Sequence, residues 1–207
     1  MAKASPPRVF LLSPARAGGE RMGLLLSPPR AGFALAWDFQ RSGAPLGELF
    51  QFASGLYFRG KLAYARAFRR PPRGAAGALA IVPGRGLMDV EERITAEDLR
   101  AMAEVPVDLR DPRYRGPLER DVRELARRLG ERGEAVLLGS IATAKYAEVL
   151  LEILGERLLF PPSFVGRGDM SRGGLLLRCV RAAEELPYAP LLGAVRHGPR
   201  PSKLPRG

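Results

Sequence analysis

Five short apolar runs, bounded by proline or glycine and lacking the alternation of a half-solvated strand, constrain this chain more than any other feature. They are Arg8–Leu12, residues 24–26 (the weakest), Ala78–Val82, residues 135–138 and residues 157–160. Strands apolar at successive positions need cover on both faces, as in a parallel sheet wrapped by helices. Helical patterns occupy the intervals. Residues 57–70 are rich in alanine and aromatics, and 95–104 open with Thr95-Ala-Glu-Asp98, a capping-box pattern with Asp for Glu. Residues 117–132 begin at a proline and carry Leu118, Val122, Leu125 and Leu129 on one stripe. Residues 142–154 stop before Gly155, and 171–185 follow a glycine-rich loop. Strand and helix alternate through the second half. The expectation is an α/β fold, a mainly parallel sheet of about four or five strands covered by helices. At 207 residues one domain suffices, placed at 8–195, with flexible basic tails at 1–7 and 196–207.

Several chemistries are excluded by what is missing. The one histidine, His197, stands in the C-terminal tail, so a histidine-based nucleophilic triad is not expected. One cysteine, Cys179, and one histidine do not make a zinc site, and no spaced acidic motif supports another metal. Cys179 falls on an apolar helical face and reads as core. There is no phosphate-loop motif with its Gly-Lys-Ser/Thr ending, and Gly84-Arg-Gly86 and Gly166-Arg-Gly168 lack the full dinucleotide fingerprint. Neither a metal nor a cofactor is expected. No run approaches the roughly 20 apolar residues that cross a bilayer, the start lacks a signal-type apolar stretch, and a lone cysteine suits a reducing compartment. The chain reads as cytoplasmic, with no membrane partner.

In open α/β sheets ligands sit beyond the carboxyl ends of the strands, and the polar residues here gather in such loops. After the first strand comes Ser13-Pro-Ala-Arg16, and after Val82 comes Pro83-Gly-Arg85-Gly-Leu-Met-Asp89. Gly139-Ser140 leads through Lys145 into a helix, and Gly166-Arg167-Gly-Asp169-Met-Ser-Arg172 into another. The expected ligand-binding set is Ser13, Arg16, Arg85, Gly139, Ser140, Lys145, Arg167 and Arg172, with glycines admitting close approach and arginines gripping an anion. Asp89 and Asp169 are the candidate catalytic carboxylates, expected to face one crevice. Each residue also has a plain structural reading, as a turn, a helix cap or a solvated charge. A short echo, Leu11-Leu-Ser-Pro-Ala-Arg-Ala-Gly18 against Leu25-Leu-Ser-Pro-Pro-Arg-Ala-Gly32, is too brief for a repeat architecture.

The formal charge of +11 is uneven. Between Glu48 and Asp89 no acid interrupts seven bases, of which Arg59, Lys61, Arg66, Arg69, Arg70 and Arg73 form the expected nucleic-acid-binding set. Such a surface favours phosphate-bearing partners, although an arginine-rich composition can have the same look for compositional reasons.

Leu11-Leu-Ser-Pro-Ala-Arg16 resembles the "LLSPAK" opening of the YaaA peroxide-stress proteins. Leu56-Tyr-Phe-Arg-Gly-Lys-Leu-Ala-Tyr-Ala-Arg66 followed by Ile81-Val-Pro-Gly-Arg-Gly-Leu-Met-Asp89 is similar to a tyrosine helix, strand and Gly-Leu-x-[Asp/Pro] order in small bacterial domains related to them. Some of those domains resemble the uracil-DNA-glycosylase-like module of tRNA-modifying enzymes. The resemblance covers about the first half of the chain. Arg16 stands where lysine is usual, and Thr95-Ala-Glu-Asp98 where Pro-Tyr-Asp is usual. It implies DNA association or nucleobase chemistry. The leading reading is a nucleotide- or nucleic-acid-associated protein with a loop-built site, acting, if it is an enzyme, as a carboxylate-dependent hydrolase or transferase at a nucleobase N-glycosidic bond. The alternatives are a non-catalytic nucleic-acid-binding module and a binding domain for a small phosphorylated metabolite.

Overall fold

A computed structural model describes residues 5–15, 19–27, 33–142 and 144–201. The elements run β1 (Arg8–Leu12), α1 (Glu20–Leu26), α2 (Ala34–Ser42), β2 (Ala44–Pro45), α3 (Leu46–Ser54), α4 (Leu56–Phe68), β3 (Ala78–Val82), β4 (Gly86–Asp89) and β5 (Arg93–Ile94). They continue α5 (Ala96–Ala103), α6 (Pro112–Leu129), β6 (Glu134–Leu138), α7 (Ala144–Leu154), β7 (Leu158–Phe160), α8 (Asp169–Ala182) and β8 (Ala189–Pro190). The fold is α/β. Six strands form one sheet in the order β4-β3-β1-β6-β7-β8. β3, β1, β6 and β7 are parallel, and β4 and β8 add antiparallel edges. β2 and β5 pair separately.

The apolar runs are buried on both faces, as their composition requires. Phe10 and Leu12 of β1 face one core layer, with residues from α1 to α5 and α8. Val9 and Leu11 face the other, with α6 and α7. Chain connections leave β1 toward β3 on one side and then cross back to β6 on the other. The sheet therefore has its switch point between β1 and β6, which opens a crevice at their carboxyl ends.

Several elements depart from the sequence reading. Residues 24–26 are the end of a helix, because Met22 and Leu25 are the buried pair and their spacing of three is helical. The second copy of the short echo thus starts in a helix while the first starts in a strand. Residues 83–89 are no open loop: Gly84 and Gly86, both at positive φ, turn the chain into a hairpin in which Val82 pairs with Gly86 and Leu79 with Asp89. α6 begins at Pro112 rather than Pro117, since Asp111 caps it by accepting from the Arg113 amide at 2.8 Å. Its apolar stripe, extended by Tyr114, is buried as expected. α5 has the full reciprocal capping box between Thr95 and Asp98. α4 and α8 cross almost backbone to backbone: a Cβ added to Gly60 would lie 2.7 Å from the Gly173 carbonyl oxygen. That approach sets the distance between Tyr57 and Lys61 on one helix and Asp169 and Arg172 on the other. Among the described residues no helix is long and apolar enough to cross a membrane.

Candidate functional site

A cleft of about 570 Å³ opens at the switch point. Its wall takes Ser13 from the end of β1, Pro83 from the end of β3, Ser140 from the end of β6, Lys145 and Tyr146 from the start of α7, Tyr57 from α4 and Asp169 from the start of α8. Its size suits a small organic ligand. Two helix N-termini, those of α7 and α8, contribute at its rim, and both bring positive dipole ends.

Behind the wall lies a residue that the sequence reading placed on a nucleic-acid surface. Lys61 is 2 % exposed. Its Nζ stands 2.8 Å from Ser13 Oγ and 2.9 Å from the Ser13 carbonyl oxygen, and 4.7 Å from the ring centres of both Tyr57 and Phe58. Burial lowers its pKa to about 7, with Asp169 pulling the other way and Arg172 adding to the depression. The placement of Lys61 as a phosphate contact is therefore corrected: it faces the core side of α4. The signal existed in its spacing, four residues after Tyr57 and four before Ala65 on one buried face.

Ser13 is 8 % exposed and is touched from several sides. Gly139 admits it: a Cβ there would lie 2.7 Å from Ser13 Cβ and 2.8 Å from Tyr146 Oη. The Tyr146 hydroxyl donates to the Ser140 carbonyl oxygen at 2.8 Å. Burial raises its pKa, while its hydrogen bonds with Ser13 and the Ser140 backbone act against that. Tyr57 is 9 % exposed, and its hydroxyl oxygen is buried with no hydrogen-bond partner among the described residues. Burial pushes its pKa up, with the Arg172 charge opposing. Sequence reading missed both tyrosines as site residues, Tyr57 standing only within an aromatic-rich helical stretch.

Of the expected ligand-binding residues, Ser13, Ser140 and Lys145 line the cleft and Gly139 shapes it. Arg16 lies outside the described residues. Arg85 turns to Asp98 at 2.5 Å. Arg167 donates to the Ser163 carbonyl oxygen and to Ser171 Oγ, and Arg172 holds the Phe164 carbonyl oxygen at 3.0 Å from behind the rim. The two candidate carboxylates separate. Asp169 lines the cleft, and with Gly168 as the cap residue of α8 it does not cap that helix with its side chain. Asp89 pairs opposite Leu79 at the amino end of β3 and accepts from the Glu91 amide. The hairpin reverses the chain, so Asp89 is carried to the opposite end of the sheet from the cleft that Asp169 lines, and the shared crevice does not form.

The acid-free basic segment acquires acids from elsewhere in the fold. Arg66 makes a two-pronged pair with Glu91 at 2.9 and 2.8 Å, which lowers the Glu91 pKa. Arg69 lies 3.9 Å from the same carboxylate, and Arg70 bonds Glu185 at 3.2 Å. Arg59 and Arg73 are exposed. Among the described residues no three His, Cys, Asp or Glu side chains cluster closely enough to hold a metal ion. Compared with protein-family models, with curated proteins and with solved structures, the chain matches none.

Proposed function

We propose that the switch-point cleft binds a nucleotide, free or as part of a nucleic acid, and acts on its nucleobase N-glycosidic bond. What supports the reading above all is the convergence of Ser13, Ser140, Lys145 and Asp169, from three separate segments, on one cleft of ligand size. Lys145 and the amino end of α7 suit a phosphate. Among the described residues Asp169 is the one carboxylate on the cleft wall, suited to orienting water or to stabilising positive charge that develops on a ribose. The aromatic wall of Tyr57 and Tyr146 suits a base.

Calorimetric titration with UMP, AMP, their nucleosides, inorganic phosphate and a short single-stranded oligonucleotide tests this. Nucleotides are expected to bind more tightly than nucleosides, and Lys145→Ala to cost about tenfold, the loss of roughly one charge-assisted contact at an exposed site. Asp169→Asn should leave the unfolding midpoint in place and abolish release of free base, read by chromatography. Absence of nucleotide binding, or base release indifferent to Asp169→Asn, overturns the reading.

A further inference from the structure

The geometry points to a second chemistry in the same cleft: Ser13 is a nucleophile, with Lys61 as its general base, able to transfer an acyl group from a small activated ester. This goes beyond the glycosidic reading, since it needs neither Asp169 nor a nucleotide.

A serine hydroxyl is a weak nucleophile until a base stands within hydrogen-bonding distance, and lysine can be that base only where it is neutral. Both conditions meet here. Lys61 Nζ is 2.8 Å from Ser13 Oγ. Its surroundings are apolar on the α4 side, where the Tyr57 and Phe58 rings flank it. The charged groups acting on it are Asp169 and Arg172, of opposite sign and both from α8, and burial outweighs them, bringing its pKa to about 7. From the β6 and α7 side the Tyr146 hydroxyl meets Ser13 and itself donates to the Ser140 carbonyl oxygen. At neutral pH a large share of the protein thus holds a free amine against the hydroxyl. Lys61 is sealed from solvent while Ser13, itself 8 % exposed, forms part of the cleft wall, so the amine lies behind the residue that meets the cleft.

The step balances with water as the only further reactant. Ser13 Oγ bonds to the acyl carbon as its proton passes to Lys61 Nζ, and the bond from that carbon to the alcohol breaks. The alcohol leaves with the proton that the lysine ammonium returns. Water then attacks the acyl-serine, gives its proton to Lys61, and releases the carboxylic acid as Ser13 recovers its hydrogen. Charge developing on the carbonyl oxygen would face the amino end of α7 and Lys145 across the cleft.

A fluorophosphonate probe and p-nitrophenyl acetate test the proposal on the full chain. The probe should form a P–O bond to Ser13 with loss of fluoride, giving one adduct by intact mass, mapped to Ser13 by peptide sequencing. Labelling should vanish in Ser13→Ala and slow at least about 100-fold in Lys61→Met, the lower end of what a positioned base contributes. Its rate in the unaltered chain should rise sigmoidally with pH, with a midpoint near 7, and that midpoint should disappear in Lys61→Met. Nitrophenolate should be released in a burst matching one acyl group per chain. Labelling no faster than in Ser13→Ala, or a rate without a midpoint between pH 6 and pH 8.5, overturns it. Should Lys61→Met not fold, Ser13→Ala and the pH profile decide alone. Nucleotide binding without labelling rejects the nucleophile and spares the proposed function; labelling without nucleotide binding does the reverse.

Discussion

Replacing Lys61 with methionine isolates the energetic cost of the buried amine. The unfolded chain keeps a proton on Lys61 up to its ordinary pKa of 10.5, whereas the folded chain releases it near 7. Between those values the unfolded state binds more protons, so stability rises with pH across this interval and is lowest below pH 7, where the folded state must hold the ammonium. At 1.36 kcal/mol for each pH unit the whole swing is on the order of 5 kcal/mol, and roughly 2–3 kcal/mol of it falls between pH 6 and pH 9. The methionine variant has a similar length and volume and no proton to release. It loses the two contacts to Ser13, a cost of about 1–3 kcal/mol for each unsatisfied oxygen, but that loss does not vary with pH over this range. Urea unfolding of both proteins at pH 6, 7, 8 and 9 gives the test, since every other titration cancels in the difference. Tyr57, Tyr64 and Tyr146 have pKa values above the ordinary phenol value, so pH 9 is the upper limit for a clean comparison. The unaltered chain should gain on the variant as pH rises. Parallel profiles within about 0.5 kcal/mol would mean that Lys61 stays charged as a strut for the Ser13 loop, and would refute the reasoning.

Gly60→Ala would put a methyl 2.7 Å from the Gly173 carbonyl oxygen, where only backbone could give way. It should destabilise the chain by about 1–3 kcal/mol in urea unfolding, and a loss under about 0.5 kcal/mol would show that α4 and α8 are not locked together there. Thr95→Ala removes the hydroxyl that accepts from the Asp98 amide at 3.2 Å, so α5 should lose about 1 kcal/mol of capping, again read by urea unfolding.

The sequence by itself determined the layers. Continuous apolar runs at 8–12, 78–82 and 135–138 have no polar face to show to water, and they became interior strands covered on both sides. The helices of the second half were legible for a related reason: a period of 3.6 and a local cap such as the Thr95 box act within a few residues, whereas the Asp111 cap that starts α6 before Pro117 was not read. Part of the cleft was legible too, because strand order confines ligands to the carboxyl ends, and Ser13, Ser140, Lys145 and Asp169 follow strands there. The tertiary structure decided the rest. A glycine pair turned residues 83–89 into a hairpin and carried Asp89 away, which no local propensity distinguishes from an open loop. Glu91 and Glu185 reached the arginines of an acid-free stretch across gaps of 25 and 115 residues. Lys61 became a buried partner of Ser13, 48 residues distant, and not a surface charge. Electrostatics and desolvation depend on distance in space, and only the packing of α4 between β1 and α8 sets those distances.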